Sequence, residues 1–95
     1  MNLPLYSSAA DLWRPNVVGL QHPGLIGLPT QVVCPVRENL ALTPLRARVR
    51  WGGLDWIVDC DLARPIDSMA LRRVGELGVT DSERVLKTFR MLLAQ

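Results

Sequence analysis

The chain is predicted to fold as a mainly β domain, a small, strongly bent antiparallel sheet or SH3-like barrel, with one C-terminal α-helix. Three observations predict it. Short strand-like runs broken by Pro and Gly occupy most of the 95 residues. One stretch, 45–61, alternates apolar and polar residues on either side of a Gly-Gly pair. The last fifteen or so residues carry apolar side chains at helical spacing instead.

Leu3 to Tyr6 is read as an opening strand, with Pro4 placed where an edge or a strand start tolerates it. Ser7 to Pro15 is a loop carrying Trp13. Val17 to Leu20 is a second strand, followed by QHPGLIGLP, a loop punctuated by Pro and Gly around Leu25 and Ile26. Thr30 to Val36 is a third strand whose continuous VVC run points to burial on both faces. Arg37 to Thr43 is polar and irregular.

In LRARVRW, Leu45, Ala47, Val49 and Trp51 fall on one face and Arg46, Arg48 and Arg50 on the other. After Gly52-Gly53, Trp56, Val58 and Cys60 alternate with Asp55, Ile57, Asp59 and Asp61. Folding about the glycines sets Arg50 opposite Asp55 and Arg46 opposite Asp59. The same register sets Val49 against Trp56, Ala47 against Val58 and Leu45 against Cys60. Each such pair contributes about 0.2–1 kcal/mol, and a slip of one residue would bury arginines. Arg64-Pro65 ends the ribbon. Ile66 to Met69 is a candidate short strand, and Ala70 to Gly78 is open between a helical turn and a loop. Thr80 and Glu83 then fit a capping box. Val85, Leu86, Phe89, Leu92 and Leu93 form one apolar stripe.

A chain this short makes one domain, residues 1–95. Its residues are 48% hydrophobic but only 5% aromatic, so aliphatic side chains must fill the core, and a homodimer interface is expected to take the excess. A net charge of +2, from 11 basic and 9 acidic residues, does not by itself imply nucleic-acid binding. No run approaches the roughly 18 apolar residues of a membrane span, and the N-terminus lacks the basic flank and apolar run of a signal peptide. A cytoplasmic protein with no membrane partner is expected. Cys34 and Cys60 have neither CxxC nor His spacing, so two reduced, buried thiols are expected and no metal site or cofactor.

Over nearly its whole length the chain resembles the CcdB toxins of bacterial toxin–antitoxin modules, which share a fold with the MazF and PemK ribonuclease toxins. The resemblance lies in LPLY at the start, VVGLQ, VVCPV, the hairpin between two tryptophans ending in DLARP, and the terminal TDSERVLKTFRMLL. It implies an SH3-like barrel, a twofold dimer, neutralisation by an acidic, CcdA-like antitoxin segment, and inhibition of the GyrA subunit of DNA gyrase by binding, without catalysis and without direct contact to nucleic acid. The aliphatic pair of the family's contact loop is matched by Leu25 and Ile26, or by Gly24 and Leu25 in a strictly gapless alignment. The chain ends Leu93-Ala94-Gln95, where the family has Trp-Gly-Ile. Arg90, Leu93, Ala94 and Gln95 therefore stand as candidate partner contacts by position alone.

The competing ribonuclease reading needs an Arg close to an Arg-Pro pair leading into a strand, and a hydroxyl soon after that strand's Pro. Leu28-Pro29 and Arg37 stand at the Arg-Pro and hydroxyl positions. A relocated set would use His22, Arg37 and Glu38, since attack by a 2′-OH needs a base, an acid and a stabiliser of developing charge. A third reading is a detoxified relative that binds only antitoxin. Cys34 in VVCP is read as a core thiol, and Trp51 and Trp56 as core rings. The Arg ladder is read as a solvated, salt-bridged face, leaving Arg48 and the Arg72-Arg73 pair for an acidic partner.

Overall fold

The computed structural model of the chain describes residues 1–7, 14–20, 29–38 and 40–93. Seven strands precede one helix: β1 Pro4–Ser7, β2 Val17–Gly19, β3 Thr30–Arg37, β4 Arg46–Trp51, β5 Leu54–Asp59, β6 Arg64–Asp67, β7 Arg72–Glu76 and α1 Val79–Leu93. They form one curled antiparallel sheet in the order β4-β5-β3-β2-β1-β7, with β6 also on β3. The expected mainly β fold with a C-terminal helix is therefore the one observed.

The β4–β5 hairpin has the register that the alternation predicts: Arg46 faces Asp59, Ala47 faces Val58, Val49 faces Trp56 and Arg50 faces Asp55. Gly52 and Gly53, at φ 61° and 77°, supply the left-handed backbone that a tight two-residue turn requires. One face meets the core as expected. The other is less solvated than its charges suggest, since Ile57 and Asp59 are buried as well.

The sheet bends far enough for its two ends to meet. Trp51 closes β4 by lying over Gly75 of β7, where an added Cβ would sit 2.7 Å from the ring. β4 and β7 are the two ends of the strand order, so this ring-on-backbone contact turns an open sheet into a half-barrel. The core inside it comes from every layer, with Leu3, Leu5, Val18, Cys34, Val49, Val58, Leu77 and Val85 all essentially inaccessible.

Helix α1 covers the outer edge of β4. The Arg50 amide donates to Asp81 Oδ2 at 2.9 Å, and Arg84 Nη1 donates to the Arg48 carbonyl at 3.0 Å. These two backbone groups, two residues apart, are the ones an added strand would use, so the edge is blunted by side chains. Ser82, fully buried, accepts from the Leu3 amide at 2.9 Å and ties the helix to β1.

Three expectations are corrected. The helix begins at Val79, with the Ser82 amide donating to the Gly78 carbonyl, so Thr80 lies inside the first turn and is not the cap. The apolar stripe is only partly interior: Val85 is buried, Leu86 and Leu92 pack on the core, Phe89 is half-buried and Leu93 is 71% exposed. The open segment 70–78 is largely strand. β7 carries no alternation of its own and is extended because β1 pairs with it, through a register shift between Leu5 and Tyr6.

Candidate functional site

The site is a groove opened by the way β3 changes partners. β6 pairs with β3 from Thr30 to Val33, and β5 pairs with the same edge only at Val36 and Arg37. Between them the chain turns through a 3-10 turn, Cys60–Leu62. The gap becomes a cavity of about 760 Å³ lined by Asn16, Val17, Pro35, Val36, Arg37, Asp61, Leu62, Ala63 and Arg64. A second lobe of about 290 Å³, lined by Ser7, Arg14, Pro15, Asn16, Val36, Arg37, Glu38 and Trp56, adjoins it. Asn16, Val36 and Arg37 line both lobes.

Three arginines (Arg14, Arg37 and Arg64) and two carboxyls (Glu38 and Asp61) line it. Arg14 reaches Glu38 at 3.6 Å, an exposed pair that contributes little to stability and leaves both groups open to a ligand. Behind the larger lobe lies a second charge cluster. Arg46 Nε donates to Asp59 Oδ1 at 3.2 Å, and Arg46 Nη1 donates to the Ala41 carbonyl at 2.7 Å. The Asp59 side chain is 5% exposed.

Asp59 and Asp61, two residues apart, also act on each other's carboxyl. Burial alone pushes the Asp59 carboxyl up. The hydrogen bonds of Asp61 and Arg46, with the charges of Arg46 and Arg37, outweigh it and hold Asp59 below the usual range. Asp61 moves the other way. Its hydrogen bond to Asp59 raises it first, then desolvation and the Asp59 charge, against a smaller pull from Arg46. The two neighbouring carboxyls are thus shifted in opposite directions.

Of the residues weighed from the sequence, Arg37 and Glu38 are brought together in the groove. Arg90 lies exposed on α1, as does Leu93, and neither lines the groove. Leu25, Ile26, Ala94 and Gln95 lie outside the described residues, as do Trp13 and His22. Cys34 and Cys60 are free, buried thiols. A hydrogen bond to Cys60, and then burial, push the Cys34 thiol far up, which rules it out as a nucleophile. The arginine ladder is partly internal, since Arg46 serves Asp59. Arg73 pairs with Glu76 at 2.9 Å, leaving Arg72 with no charged partner among the described residues. Among those residues no three His, Cys, Asp or Glu side chains converge as a metal set, and no helix is long and apolar enough to cross a membrane.

The groove residues that sequence reasoning missed are Arg14, Asn16, Asp61 and Arg64. The Asp-Cys-Asp run at 59–61 was their one visible signal, and the hairpin pattern absorbed it as alternation.

The fold is shared with a solved structure. The chain superposes on one from the crystal structure of MazE–MazF (Form-II) from Deinococcus radiodurans with a TM-score of 0.75 and 18% sequence identity, covering 99% of this chain and 91% of that one. No family model matches the chain, and no curated protein is significantly similar to it in sequence. The expectation of a protein that performs no catalysis is overturned by this match. The matched chain belongs to a MazE–MazF complex, and at 18% identity the likeness is one of fold.

Proposed function

We propose that the chain is the toxin of a type II toxin–antitoxin module and that it cleaves RNA in the groove around Arg37. The observation that carries this reading is that Arg37 lines both lobes, the smaller with Glu38 and Arg14 and the larger with Arg64. The larger lobe has the volume of a small-ligand site, enough for a nucleotide or two. The arginines neutralise phosphates, Glu38 takes the proton from the attacking 2′-OH, and Arg37 stabilises the charge that develops on the phosphoryl oxygens. Nucleic acid is then the substrate, contrary to the expectation of no contact with it.

The fold match to a chain from a MazE–MazF complex supports an antitoxin as partner. The exposed end of α1, with Arg90 and Leu93, together with Leu25, Ile26, Ala94 and Gln95, is proposed as the surface for an acidic antitoxin segment on a homodimer. No feature of the groove singles out gyrase.

The test is incubation of the purified protein with a defined RNA and its DNA counterpart. RNA is expected to be cut to 2′,3′-cyclic phosphate and 5′-hydroxyl ends, and DNA, lacking the 2′-OH, to survive. Arg37→Ala should lower the rate by about 10²–10³-fold and Glu38→Gln by about 10²–10⁴-fold. Supercoiling by gyrase, measured alongside, should be unaffected. Intact RNA at micromolar concentrations of folded protein would refute the reading.

A further inference from the structure

The buried thiols of Cys34 and Cys60 line neither lobe of the groove. They come from different elements, Cys34 from the middle of β3 and Cys60 from the first position of the 3-10 turn after β5. The β3–β5 register brings them together. Val36 faces Val58 and Arg37 faces Ile57, so the same antiparallel count carried two residues on sets Cys34 opposite Cys60. Alternation puts Cys34 on the face of Val36 and Cys60 on the face of Val58, and all four belong to one buried cluster. The Cys34 Sγ lies 4.0 Å from the Cys60 carbonyl oxygen.

The backbone directions define the kind of pair. On β3 the Val36 amide donates away from β5, to the Asn16 carbonyl, and Cys34, two residues away, has the same parity and pairs with Val18 on that side. The Cys60 amide donates away from β3, to the Leu45 carbonyl at 3.2 Å. The two residues therefore take a non-hydrogen-bonded position, where facing Cα atoms stand about 4.5 Å apart and side chains are closest. A disulfide spans Cα separations of about 4.4–6.8 Å.

We propose that Cys34 and Cys60 form a reversible disulfide within the chain, a modification site that ties the turn after β5 to β3. The inference does not rest on the ribonuclease reading. The oxidant is a peroxide, which reaches the thiols through opening of the turn. Cys60 reacts first, because strand pairing stops at Asp59 just before it, whereas Cys34 lies within the β2–β3 ladder. The Cys60 sulfur attacks one peroxide oxygen and the O–O bond breaks, leaving a sulfenic acid and one water. The Cys34 sulfur then displaces the hydroxyl from Cys60, the S–S bond forms, and the Cys34 proton departs with the hydroxyl as a second water. Two thiols lose two electrons and the peroxide gains them. Cys34 needs no free thiolate for this, since its proton passes directly to the departing oxygen. Pro35 follows Cys34 and Asp61 follows Cys60, and both line the larger lobe. Oxidation therefore fixes the distance between two segments that line it.

Folded protein treated with a few equivalents of hydrogen peroxide should lose about 2 Da, the mass of two hydrogens. It should stay a single chain on a non-reducing gel and yield a linked Cys34–Cys60 peptide on digestion. Dithiothreitol should reverse these changes. The bridge should raise Tm by about 5–10 °C and slow amide exchange at Asp61 and Leu62 by about tenfold. Cys34→Ala should leave a sulfenic acid on Cys60 that dimedone traps, and Cys60→Ala should leave Cys34 unmodified.

A disulfide between chains, a sulfinic acid on either cysteine, or no reaction would overturn the site. Trapping at Cys34 in Cys60→Ala would overturn the order of reaction. Unchanged Tm and exchange in the bridged protein would overturn the tie between turn and strand. If an alanine variant fails to fold, the peptide map and the exchange of the wild type decide alone. No readout involves RNA, so failure here leaves the ribonuclease reading standing, and intact RNA leaves the disulfide standing.

Discussion

Gly75→Ala should destabilise the protein through Trp51 and not through the backbone. Gly75 has no left-handed φ, so its backbone accepts any L-residue. The obstacle is the indole: a Cβ at this position would lie 2.7 Å from Trp51 Cζ2 and Nε1 and 2.9 Å from Cε2. Ordinary carbon contacts begin near 3.5 Å, so the ring must withdraw by about 1 Å from the place where it closes β4 onto β7. Forcing extra volume into a packed site costs about 1–3 kcal/mol, and replacing Gly by Ala returns about 0.4–1 kcal/mol through the unfolded chain. The net loss is about 1–2 kcal/mol, a fall in Tm on the order of 5–10 °C for a domain of this size. Thermal unfolding followed by far-UV circular dichroism reads it. In a Trp51→Leu background the same substitution should cost little, giving a coupling of about 1 kcal/mol in the double-mutant cycle. Equal losses in both backgrounds, or a raised Tm for Gly75→Ala alone, would refute the closure argument.

Gly53→Ala should cost about 1–2 kcal/mol whatever residue stands at 51, because its φ of 77° is strained for any L-residue while nothing lies within 4 Å of the added carbon. Ser82→Ala should cost about 1–3 kcal/mol in chemical denaturation by leaving the buried Leu3 amide without its acceptor. Leu77→Ala, at a fully buried position, should cost about 2–5 kcal/mol, and Phe89→Ala, only half-buried, less than the 3–5 kcal/mol of a fully interior ring. Asp59 is held below its unfolded value of about 3.9. Its stabilisation is present above that pH and is lost as the pH falls through the folded value. The stability gap between wild type and Asp59→Asn should therefore narrow below about pH 4, and a gap that widens there would contradict the assignment. Asp61, raised, has the opposite sign: its contribution is present below the unfolded value and fades as the pH climbs through the folded one.

The β4–β5 hairpin and the C-terminal helix were readable because each repeats a short period within one segment. Alternation specifies Arg46 against Asp59 and Arg50 against Asp55, as the hairpin has them, and apolar spacing marks 85–93 as helical. β7 was not readable, because RRVGE has neither period and is extended only by its pairing with β1. Of the relocated set His22, Arg37 and Glu38, the last two line the groove and His22 lies outside the described residues. Arg14, Asn16, Asp61 and Arg64 were invisible as a set, since they come from separate segments and share no motif.

The amino-acid order by itself determined the class of fold, the hairpin register and the helix, since these follow from local periodicity and turn chemistry among near neighbours. Only the tertiary structure decided that Trp51 meets Gly75 across the sheet, and that β3 exchanges β6 for β5 and so opens a groove at Arg37. It also decided that Asp59 and Asp61, read as one solvated face, divide into a buried carboxyl paired with Arg46 and an exposed one lining the groove. Those outcomes depend on which distant segments the curl of the sheet brings into contact. Long-range closure of that kind leaves no periodic mark in a sequence.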